Sequence, residues 1–534
     1  MEHGKSAYIM PIAALNKKQG KRFVAGQEAF NEAWVVAPEP GVWGLGPTFN
    51  EDRCSHCHEA NGRSAAVPDG EEAVRGPLVR LSIAGQDEFG GPSPHPAYGD
   101  QFQNRGIEGR VPSEGKVQVR YAPLDVEFAD GEVITLREPE IQFAELEFGE
   151  IGDATMTSLR VAPQLVGLGL LEAVPDETLL AIAERQAEQG VSGRPNYVWD
   201  VENERRVMGR FGWKANQPSV RQQVAAAFMG DIGATTYLFQ QENCPVVQEK
   251  CLDTPSAASC GGQGGCGGNA FRPEVNPSRL TNISLYLRTL AVPARRNLDD
   301  PQVKQGEKLF SQAQCSTCHI PELRTAPAGQ LPHDIAAAAD VTIRAYTDML
   351  LHDMGPYLYD FDAAEPYVRS QKPLKQAKLV SRIEMPYYGS PTIVSSTVIP
   401  DQFISPRYPQ VSSDYKTVIA SREIRTINLS PKNRPSRRAS SLAQVRDEIG
   451  VERRLKPTVT AQEWRTPPLW GVRDSAPYLH DGRAESLLEA IVMHGGESAP
   501  TRDRFLQLPV EDRKALIEFL ETLVAPANVP QAEL

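Results

Sequence analysis

Apolar residues recur at helical spacing in several separate stretches of the chain. In residues 19–37, Phe23, Phe30 and Trp34 fall on one helical face, which predicts an amphipathic helix. Apolar periodicity and capping residues predict further helices over residues 176–189, 219–229, 277–290, 343–351, 485–493 and 511–523. Asp300-Pro301, an N-cap followed by proline, predicts the start of one more helix.

Strand patterns are fewer and lie in the first half of the chain. Residues 117–121 alternate between apolar and polar side chains, and Asp130-Gly131 before residues 132–137 is typical of a hairpin turn. Residues 59–115 are rich in glycine and proline and predict a long loop. The pattern therefore predicts a mainly α fold with a small β element.

Composition changes along the chain predict two domains. The segment 293–296, Pro-Ala-Arg-Arg, predicts a hinge between a domain of residues 1–292 and a domain of residues 293–534. The first contains a loop rich in Cys and Gly at 240–276, and the second an irregular insertion at 357–460. The whole chain of 534 residues is long enough for two to four domains.

One motif occurs twice, as Cys54-Ser55-His56-Cys57-His58 and as Cys315-Ser316-Thr317-Cys318-His319. Cys-x-x-Cys-His is the attachment pattern of c-type haem, in which both thiols bond to the porphyrin and the histidine binds the iron. A redox dithiol would not require the histidine. A zinc ribbon would place its two Cys-x-x-Cys pairs much closer together. The repeat therefore predicts two covalently bound haem c groups, haem 1 at the first copy and haem 2 at the second.

Charge and hydropathy limit the partners and the location. The net charge of −12 argues against general binding to nucleic acid or anionic membranes. No apolar run approaches the roughly 20 residues that span a bilayer. The first 15 residues lack a signal-peptide pattern, yet covalent haem is attached outside the cytoplasm. We therefore expect a periplasmic protein whose numbering describes a mature or trimmed chain.

Four cysteines lie outside the two motifs, namely Cys244, Cys251, Cys260 and Cys266. An even number of cysteines in a glycine-rich loop is typical of an oxidising compartment and indicates two disulfides. Local pairing, 244 with 251 and 260 with 266, is the simplest arrangement, although four cysteines allow three connectivities. A metal site with four cysteine ligands is the alternative.

The remaining histidines are candidates for the second axial ligand of either haem. Since His56 lies between the haem cysteines, it should point away from the iron. We expect His3, His95 and His333 at the surface because of their terminal or proline-flanked positions. The others are His352, His480 and His494.

Two strings carry a family resemblance: Arg465-Thr466-Pro467-Pro468-Leu469 and Ala476-Pro477-Tyr478-Leu479-His480-Asp481-Gly482. They resemble the C-terminal haem domain of bacterial di-haem cytochrome c peroxidases. The same superfamily includes the di-haem enzyme that matures methylamine dehydrogenase. More narrowly, Tyr346-Thr347-Asp348, Leu351-His352-Asp353-Met354-Gly355, the 464–471 segment and Met493-His494-Gly495-Gly496 resemble the di-haem thiol oxidoreductase-like family. The resemblance implies two cytochrome c-like haem domains and covers most of the chain outside 357–460.

The resemblance also implies ligands for haem 2. The peroxidases carry a methionine ligand fourteen residues after the His-Asp-Gly histidine, and His494 stands at that position here. Haem 2 is then a low-spin centre held by His319 and His494, with a lower potential than a His/Met pair confers. Met493 is the second candidate, and His494 as an ordinary residue at a helix C-terminus is the alternative. We expect His352 and His480 to orient the surroundings by hydrogen bonding.

Haem 1 differs, because the region that holds the displaceable histidine of the peroxidases reads Val74-Arg75-Gly76-Pro77 here. This indicates an open face opposite His58.

Trp213 stands where the family places a tryptophan between the haems, with an ordinary core tryptophan as the alternative. The peroxidases' acidic residue corresponds to Gly233, so Asp231, two residues earlier, is the candidate acid–base group. An ordinary loop aspartate is the alternative there.

The resemblance also raises the question of calcium and of partners. Related peroxidases hold a calcium ion, whose ligands cannot be matched in this chain.

Between Lys416 and Lys456 there are eleven Lys/Arg and four Asp/Glu residues. This basic stretch can dock a small redox protein that acts as electron donor or acceptor, or it can be a solvated loop.

The leading hypothesis is a periplasmic di-haem oxidoreductase in which electrons pass from haem 2 by way of Trp213 to haem 1, which reacts with hydrogen peroxide or another oxidant. A second hypothesis is a high-valent di-haem enzyme that oxidises a protein or an organic substrate. A third is a non-enzymatic electron-transfer cytochrome. A fourth is a component of a metal-uptake system. The spin states of the two haems separate the third from the first two.

Overall fold

The computed structural model describes residues 8–12, 15–37, 39–87, 89–254, 272–292, 295–359 and 459–524. His3, Cys260, Cys266 and most of the 357–460 insertion, including the basic stretch at 416–456, lie outside these residues, as does the side chain of His333. Within this part of the chain, no helix is both long and apolar enough to cross a bilayer.

The described residues contain short and medium helices throughout. In chain order they are α1 (Lys17–Asn31), α2 (Cys54–Cys57), α3 (Leu168–Glu172), α4 (Asp176–Glu188), α5 (Val220–Ala227), α6 (Glu249–Leu252), α7 (Pro277–Arg288), α8 (Pro301–Gln312), α9 (Leu487–Val492), α10 (Ala499–Leu506) and α11 (Val510–Glu521). Side chains cap α5 and α8 as the sequence predicts, since Ser219 accepts from the Gln222 amide and Asp300 accepts from the Gln302 amide.

Strands form small sheets of two or three members. In chain order they are β1 (Trp34–Val35), β2 (Val42–Trp43), β3 (Thr48–Phe49), β4 (Leu78–Gln86), β5 (Pro92–Ser93), β6 (Arg105–Gly106), β7 (Lys116–Glu127), β8 (Val133–Ala144), β9 (Met156–Arg160), β10 (Tyr197–Asp200), β11 (Arg205–Met208), β12 (Leu323–Arg324), β13 (Thr342–Ile343), β14 (Leu351–Asp353) and β15 (Glu463–Arg465). The largest sheet in this set has the order β5-β4-β9, and the longest pairing joins β7 to β8 antiparallel from Lys116↔Ala144 to Glu127↔Val133.

The prediction of a mainly α fold is wrong. Helical residues make up 32% and strand residues 20% of the described structure. The 59–115 segment, predicted as loop, contains β4, and the predicted hairpin extends to twelve residues in each strand. The predicted helix at 343–351 does not form: Tyr346 and Met349 have positive φ angles, +51° and +57°, which an α-helix does not contain. Long-range strand pairing thus decides segments whose local pattern is weak.

The two largest hydrophobic cores of the described residues each take side chains from both sides of residue 293. The first packs α1 against α7 around Phe23 and Tyr286, and also includes Trp470 from the C-terminal part. The second packs α8 against α11 around Phe310 and Phe519. Each core packs against one haem motif, because His58 lies near Phe30 and His319 lies near Phe310.

The β7–β8 hairpin reaches from the first half of the chain to the C-terminal helices. At its tip, Arg513 of α11 donates to Asp130 at 2.8 Å and to Glu132 at 2.6 Å, while its guanidinium lies 4.4 Å from the ring centre of Phe128. Further along β8, Arg137 donates to the carbonyl of Arg483 at 2.8 Å. The hairpin therefore ties the His-Asp-Gly segment and α11 to the first half.

One disulfide lies within the described residues and joins Cys244 to Cys251, whose Cα atoms are 5.7 Å apart. The sulfur of Cys251 is buried, 3.9 Å from the hydroxyl of Thr48. This bond holds the loop after residue 240 against the strand that precedes the first haem motif.

Candidate functional site

The first Cys-x-x-Cys-His motif forms a single helical turn. Helix α2 begins after Arg53, whose backbone is extended, and the His58 amide closes the turn on the Cys54 carbonyl at 3.0 Å. Nδ1 of His58 lies 2.9 Å from the carbonyl of Pro163 and donates to it. This hydrogen bond fixes the tautomer, so Nε2 carries the lone pair that a metal requires. Burial lowers the pKa of His58 to about 4, which keeps the imidazole neutral.

The second motif repeats this arrangement. Residues Cys315–Thr317 form a turn after α8, and the His319 amide donates to the Cys315 carbonyl at 3.0 Å. Nδ1 of His319 donates to the carbonyl of Tyr346 at 2.9 Å. Burial lowers the pKa of His319 to about 4. Both motifs therefore present a neutral histidine held by a backbone carbonyl.

His494 faces His319. Their ring centres are 6.4 Å apart, and Nδ1 of His494 donates to the Ala490 carbonyl at 2.8 Å, which leaves Nε2 as the metal-binding nitrogen. Two imidazoles that bind one metal from opposite sides, each at about 2.0 Å, have ring centres about 6.3 Å apart. The observed separation matches that geometry. Burial lowers the pKa of His494, so this imidazole is neutral as well.

Both motifs open into one cavity of about 1520 Å³. Single ligand pockets usually measure roughly 300–1,000 Å³, so this volume has room for two large groups. The cavity walls include residues from both motifs, from the segment between them and from the C-terminal part: Cys54, Cys57, His58, Cys315, Cys318, His319, Trp213, Asp231 and His494.

The four motif cysteines suit thioether formation better than thiolate chemistry. Burial raises the pKa of Cys54 and of Cys315 to about 12, and it also raises the pKa of Cys57 and Cys318. A redox dithiol or a zinc site needs thiolates, which a raised pKa disfavours. Together with the paired histidines and the cavity volume, this environment fits two haem groups.

The prediction of a surface position for His95 is wrong. His95 is buried, and both ring nitrogens are used: Nε2 lies 3.1 Å from the Ile151 carbonyl, and Nδ1 accepts from the amides of Ala97 and Tyr98. A histidine whose two nitrogens bind protein groups is not available as an iron ligand. The ring therefore organises a tight turn beside the cavity.

His56, between the first pair of cysteines, is held by two carboxylates. Its Nδ1 lies 2.8 Å from Glu51 and 3.1 Å from Asp52. Glu51 also pairs with Arg105 at 3.1 Å, so the imidazole belongs to a charged cluster behind α2.

Asp231 lies on the cavity wall, in a π-helical turn (Phe228–Ile232) directly after α5. Its Oδ1 accepts from Nε2 of Gln101 at 2.8 Å, and its backbone carbonyl accepts from the Asn50 amide at 2.8 Å. Burial raises the pKa of Asp231 to about 6. A carboxyl group with this pKa can hold or release a proton near neutral pH. Sequence patterns gave no signal for Gln101, which lies 130 residues away.

Trp213 lines the same cavity and is held on three sides. Its indole N–H donates to the Val161 carbonyl at 3.0 Å, and its own carbonyl accepts from the Arg465 amide at 3.0 Å. The guanidinium of Arg63 lies 5.0 Å from the ring centre. The indole is thus fixed in one orientation on the wall of the cavity into which both motifs open.

His352 is buried between two carboxylates. Nε2 lies 2.8 Å from Asp348 and Nδ1 lies 2.5 Å from Glu497, while Nδ1 is also 3.7 Å from the sulfur of Cys318. Burial alone would lower the pKa of His352, but Asp348 outweighs it and holds that pKa well above its usual range. With both nitrogens engaged, His352 braces the second motif. The contribution of Glu497 could not be read from the sequence.

His480 lies in the His-Asp-Gly string and stacks on Trp464, with ring centres 3.8 Å apart and planes at 20°. Its Nε2 is 3.5 Å from Asp481, which pairs with Arg483 at 2.6 Å. The backbone carbonyl of His480 accepts from the Val161 amide at 2.8 Å. The string therefore contacts the same Val161 backbone that receives the Trp213 N–H.

Comparison with known proteins agrees with these features. A family model described as "Di-haem oxidoreductase, putative peroxidase" matches residues 1–366 and 452–523. The methylamine utilization protein MauG of Methylorubrum extorquens is 38% identical over 98 residues, which span 16% of this chain and 27% of that protein. Hydrazine synthase of Kuenenia stuttgartiensis, solved under xenon pressure, is 17% identical over 67% of this chain and 87% of that one; the TM-score of 0.21 is too low to show a common fold. By the extent of the family match, the chain belongs to the di-haem oxidoreductase family.

Proposed function

We propose that this di-haem oxidoreductase is a periplasmic c-type enzyme that reduces hydrogen peroxide or a related oxidant. One observation carries the proposal: two Cys-x-x-Cys-His motifs open into one cavity, and among the described residues a second histidine, His494, lies close to the ring of His319, whereas none lies close to that of His58. In the proposed division, residues 1–292 supply most of the haem 1 site and residues 293–534 most of the haem 2 site.

The bound haem groups would supply electron storage and an iron that reacts with oxidant. Cys54, Cys57 and His58 would hold haem 1, and the second motif with His494 would hold haem 2. If His319 and His494 both held haem 2, they would exclude an oxidant there and favour a low-spin electron-transfer centre. The oxidant would then react at haem 1, the group that His58 would hold.

Two further residues have proposed roles. Trp213, which Val161 and Arg465 hold on the wall of the cavity that both motifs share, would provide the path for electrons. Asp231 would move a proton: its free carboxyl oxygen takes the proton from one peroxide oxygen and returns it to the other, which helps the O–O bond to break. Two electrons and two protons from outside complete the reduction of peroxide to two waters.

A second candidate function is oxidation of an organic or protein substrate. The cavity rim carries exposed aromatic side chains, since Phe89 is 47% and Tyr197 46% exposed, and Phe89 lies 6.0 Å from Trp199. A small molecule such as peroxide does not require such a rim, whereas an aromatic substrate would bind to it. In either case a small redox protein would exchange electrons with haem 2, and the 416–456 stretch would be its docking site.

Electron paramagnetic resonance of the oxidised protein tests the assignment. We expect one low-spin and one high-spin signal, and His494→Ala should convert the low-spin signal to high-spin. His95→Gln is the matched control, because His95 is buried at the cavity but engaged by backbone groups. Two low-spin signals in the unmodified protein, or an unchanged spectrum in His494→Ala, would contradict the model.

Turnover separates the two candidate functions. Peroxide consumption with a reduced small cytochrome supports the peroxidase. Oxidation of an aromatic substrate after peroxide addition, without turnover by any cytochrome, supports the second candidate.

Denaturation of the protein tests covalent attachment, because covalently bound haem stays with the denatured chain. In the double variant Cys54→Ala with Cys57→Ala, haem 1 should be lost on denaturation and haem 2 should be retained. A calcium chelator tests whether the calcium of related peroxidases is also needed here.

A further inference from the structure

Gln101 is buried at the cavity wall and makes contacts on both ends of its amide. Nε2, which has two N–H bonds, lies within hydrogen-bond distance of three acceptors: Asp231 Oδ1 at 2.8 Å, Asn50 Oδ1 at 2.7 Å and the Gly230 carbonyl at 3.0 Å. Oε1 accepts from Nη1 of Arg80 at 3.0 Å. Rotating the amide by 180° would place its NH2 group against the guanidinium of Arg80, which is itself a donor. It would also place the amide oxygen against three other acceptors. The contacts therefore allow only one orientation, in which Gln101 donates to Asp231.

Arg80 is in turn held by a partly exposed carboxylate. Its Nη2 pairs with Asp100 at 2.5 Å, and the side chain of Asp100 is 40% exposed. The groups thus form a continuous line from a half-exposed carboxylate through a guanidinium and an amide to Asp231. An arginine does not lose its proton in proteins, and an amide does not titrate, so this line does not conduct protons. Its effect is to hold the Asp231 carboxyl group in position.

The two oxygens of Asp231 are therefore different. Oδ1 accepts the Gln101 hydrogen bond, whereas among the described residues Oδ2 has no hydrogen-bond partner, and the residue lines the cavity. We propose that Gln101 is a positioning residue for Asp231, which ties down Oδ1 so that Oδ2 is the oxygen that exchanges protons with the bound oxidant. This inference rests on the acid–base role of Asp231 proposed above.

The groups around Asp231 set the direction of the expected effect. Burial raises the pKa of Asp231, the hydrogen bond from Gln101 and the charge of Arg80 lower it, and Asp100 raises it. The thiols of Cys54 and Cys57 also face Asp231, and as buried thiols or thioethers they are uncharged. Removing the Gln101 donor should therefore raise the pKa of Asp231, since a donated hydrogen bond favours the charged carboxylate.

Gln101→Met removes the amide without adding charge. In the holoprotein, infrared difference spectra recorded against pH report the protonation of a carboxyl group, and Asp231→Asn identifies the band. We expect an upward shift of about one pH unit in Gln101→Met, the size of one hydrogen bond to a charged group. Gln101→Glu keeps the shape and the Arg80 contact but adds negative charge, so its shift should be larger.

Gln103→Met is the matched control. Gln103 is also buried and its Nε2 donates to the same Gly230 carbonyl at 2.9 Å, but Asp231 is not among its hydrogen-bond partners. It should leave the infrared titration unchanged. An unchanged titration in both Gln101 variants, or an equal shift in Gln103→Met, would overturn the positioning role.

The same variants separate this inference from the proposed function. The acid limb of the pH profile for peroxide consumption should move with the infrared titration in Gln101→Met. If the unmodified holoprotein consumes no peroxide and the infrared titration still shifts, the peroxidase assignment fails and the positioning of Asp231 stands. If peroxide is consumed and neither measurement shifts, the positioning role fails alone.

Discussion

The raised pKa of Asp231 has a measurable cost in stability. Burial moves this pKa from 3.8 to about 6 in the folded protein. The folded state then binds a proton more tightly than the unfolded state, so the free energy of unfolding falls as pH rises from about 4 to about 6. Two pKa units at 1.36 kcal/mol each give a cost of about 3 kcal/mol at neutral pH.

Asp231→Asn removes this cost, because asparagine has no charge to desolvate. The amide oxygen still accepts the hydrogen bond from Gln101, so little else is lost. We expect the substitution to raise the free energy of unfolding by up to about 3 kcal/mol at pH 7.5 and to change it little at pH 4.

Equilibrium urea unfolding of the holoprotein at both pH values measures the effect. Asp100→Asn is a suitable control, since Asp100 pairs with Arg80 in the same line but is 40% exposed. The free energy of unfolding of Asp100→Asn should show no gain over the unmodified protein that grows with pH. An equal effect of Asp231→Asn at both pH values would show that the folded carboxyl group does not titrate near 6, and the reasoning would fail.

Three other substitutions test separate parts of the site. Trp213→Phe should slow electron transfer between the haems, measured by flash photolysis or stopped flow, while the spectra of both haems stay unchanged; an unchanged rate would remove the indole from the path. His352→Leu should lower the free energy of unfolding by about 3–5 kcal/mol, because it leaves Asp348 and Glu497 buried without their cation; a loss below 1 kcal/mol in urea unfolding would contradict the buried ion pair. Cys251→Ser should lower the free energy of unfolding by about 2–3 kcal/mol, because it removes a disulfide between residues 7 apart in the sequence. Reduction of this disulfide in the unmodified protein should lower the free energy of unfolding by the same amount.

Parts of this protein that depend on neighbouring residues were accessible from the sequence. Each Cys-x-x-Cys-His motif is complete within five residues, and the structure gives each one a local turn. Ser219 and Asp300 cap helices through contacts two or three residues away. The position of His494 followed from family spacing, and the structure places its ring opposite His319.

Tertiary structure decided the features that depend on distant contacts. The β content was underestimated because β4 pairs with β9, more than seventy residues later, and such pairing leaves little local pattern. His95 appeared to be a surface residue between two prolines, but a carbonyl 56 residues away and two nearby amides engage its ring.

The same division applies to the site. The motifs alone determined that the chain carries two histidines suited to haem iron, because attachment chemistry requires a short, fixed spacing. Which oxygen of Asp231 is held by a hydrogen bond depends on Gln101, itself held by Arg80 and Asp100, and these residues come from a different strand and loop. Side-chain orientation and pKa depend on what surrounds a group in space, and only the folded chain brings those surroundings together.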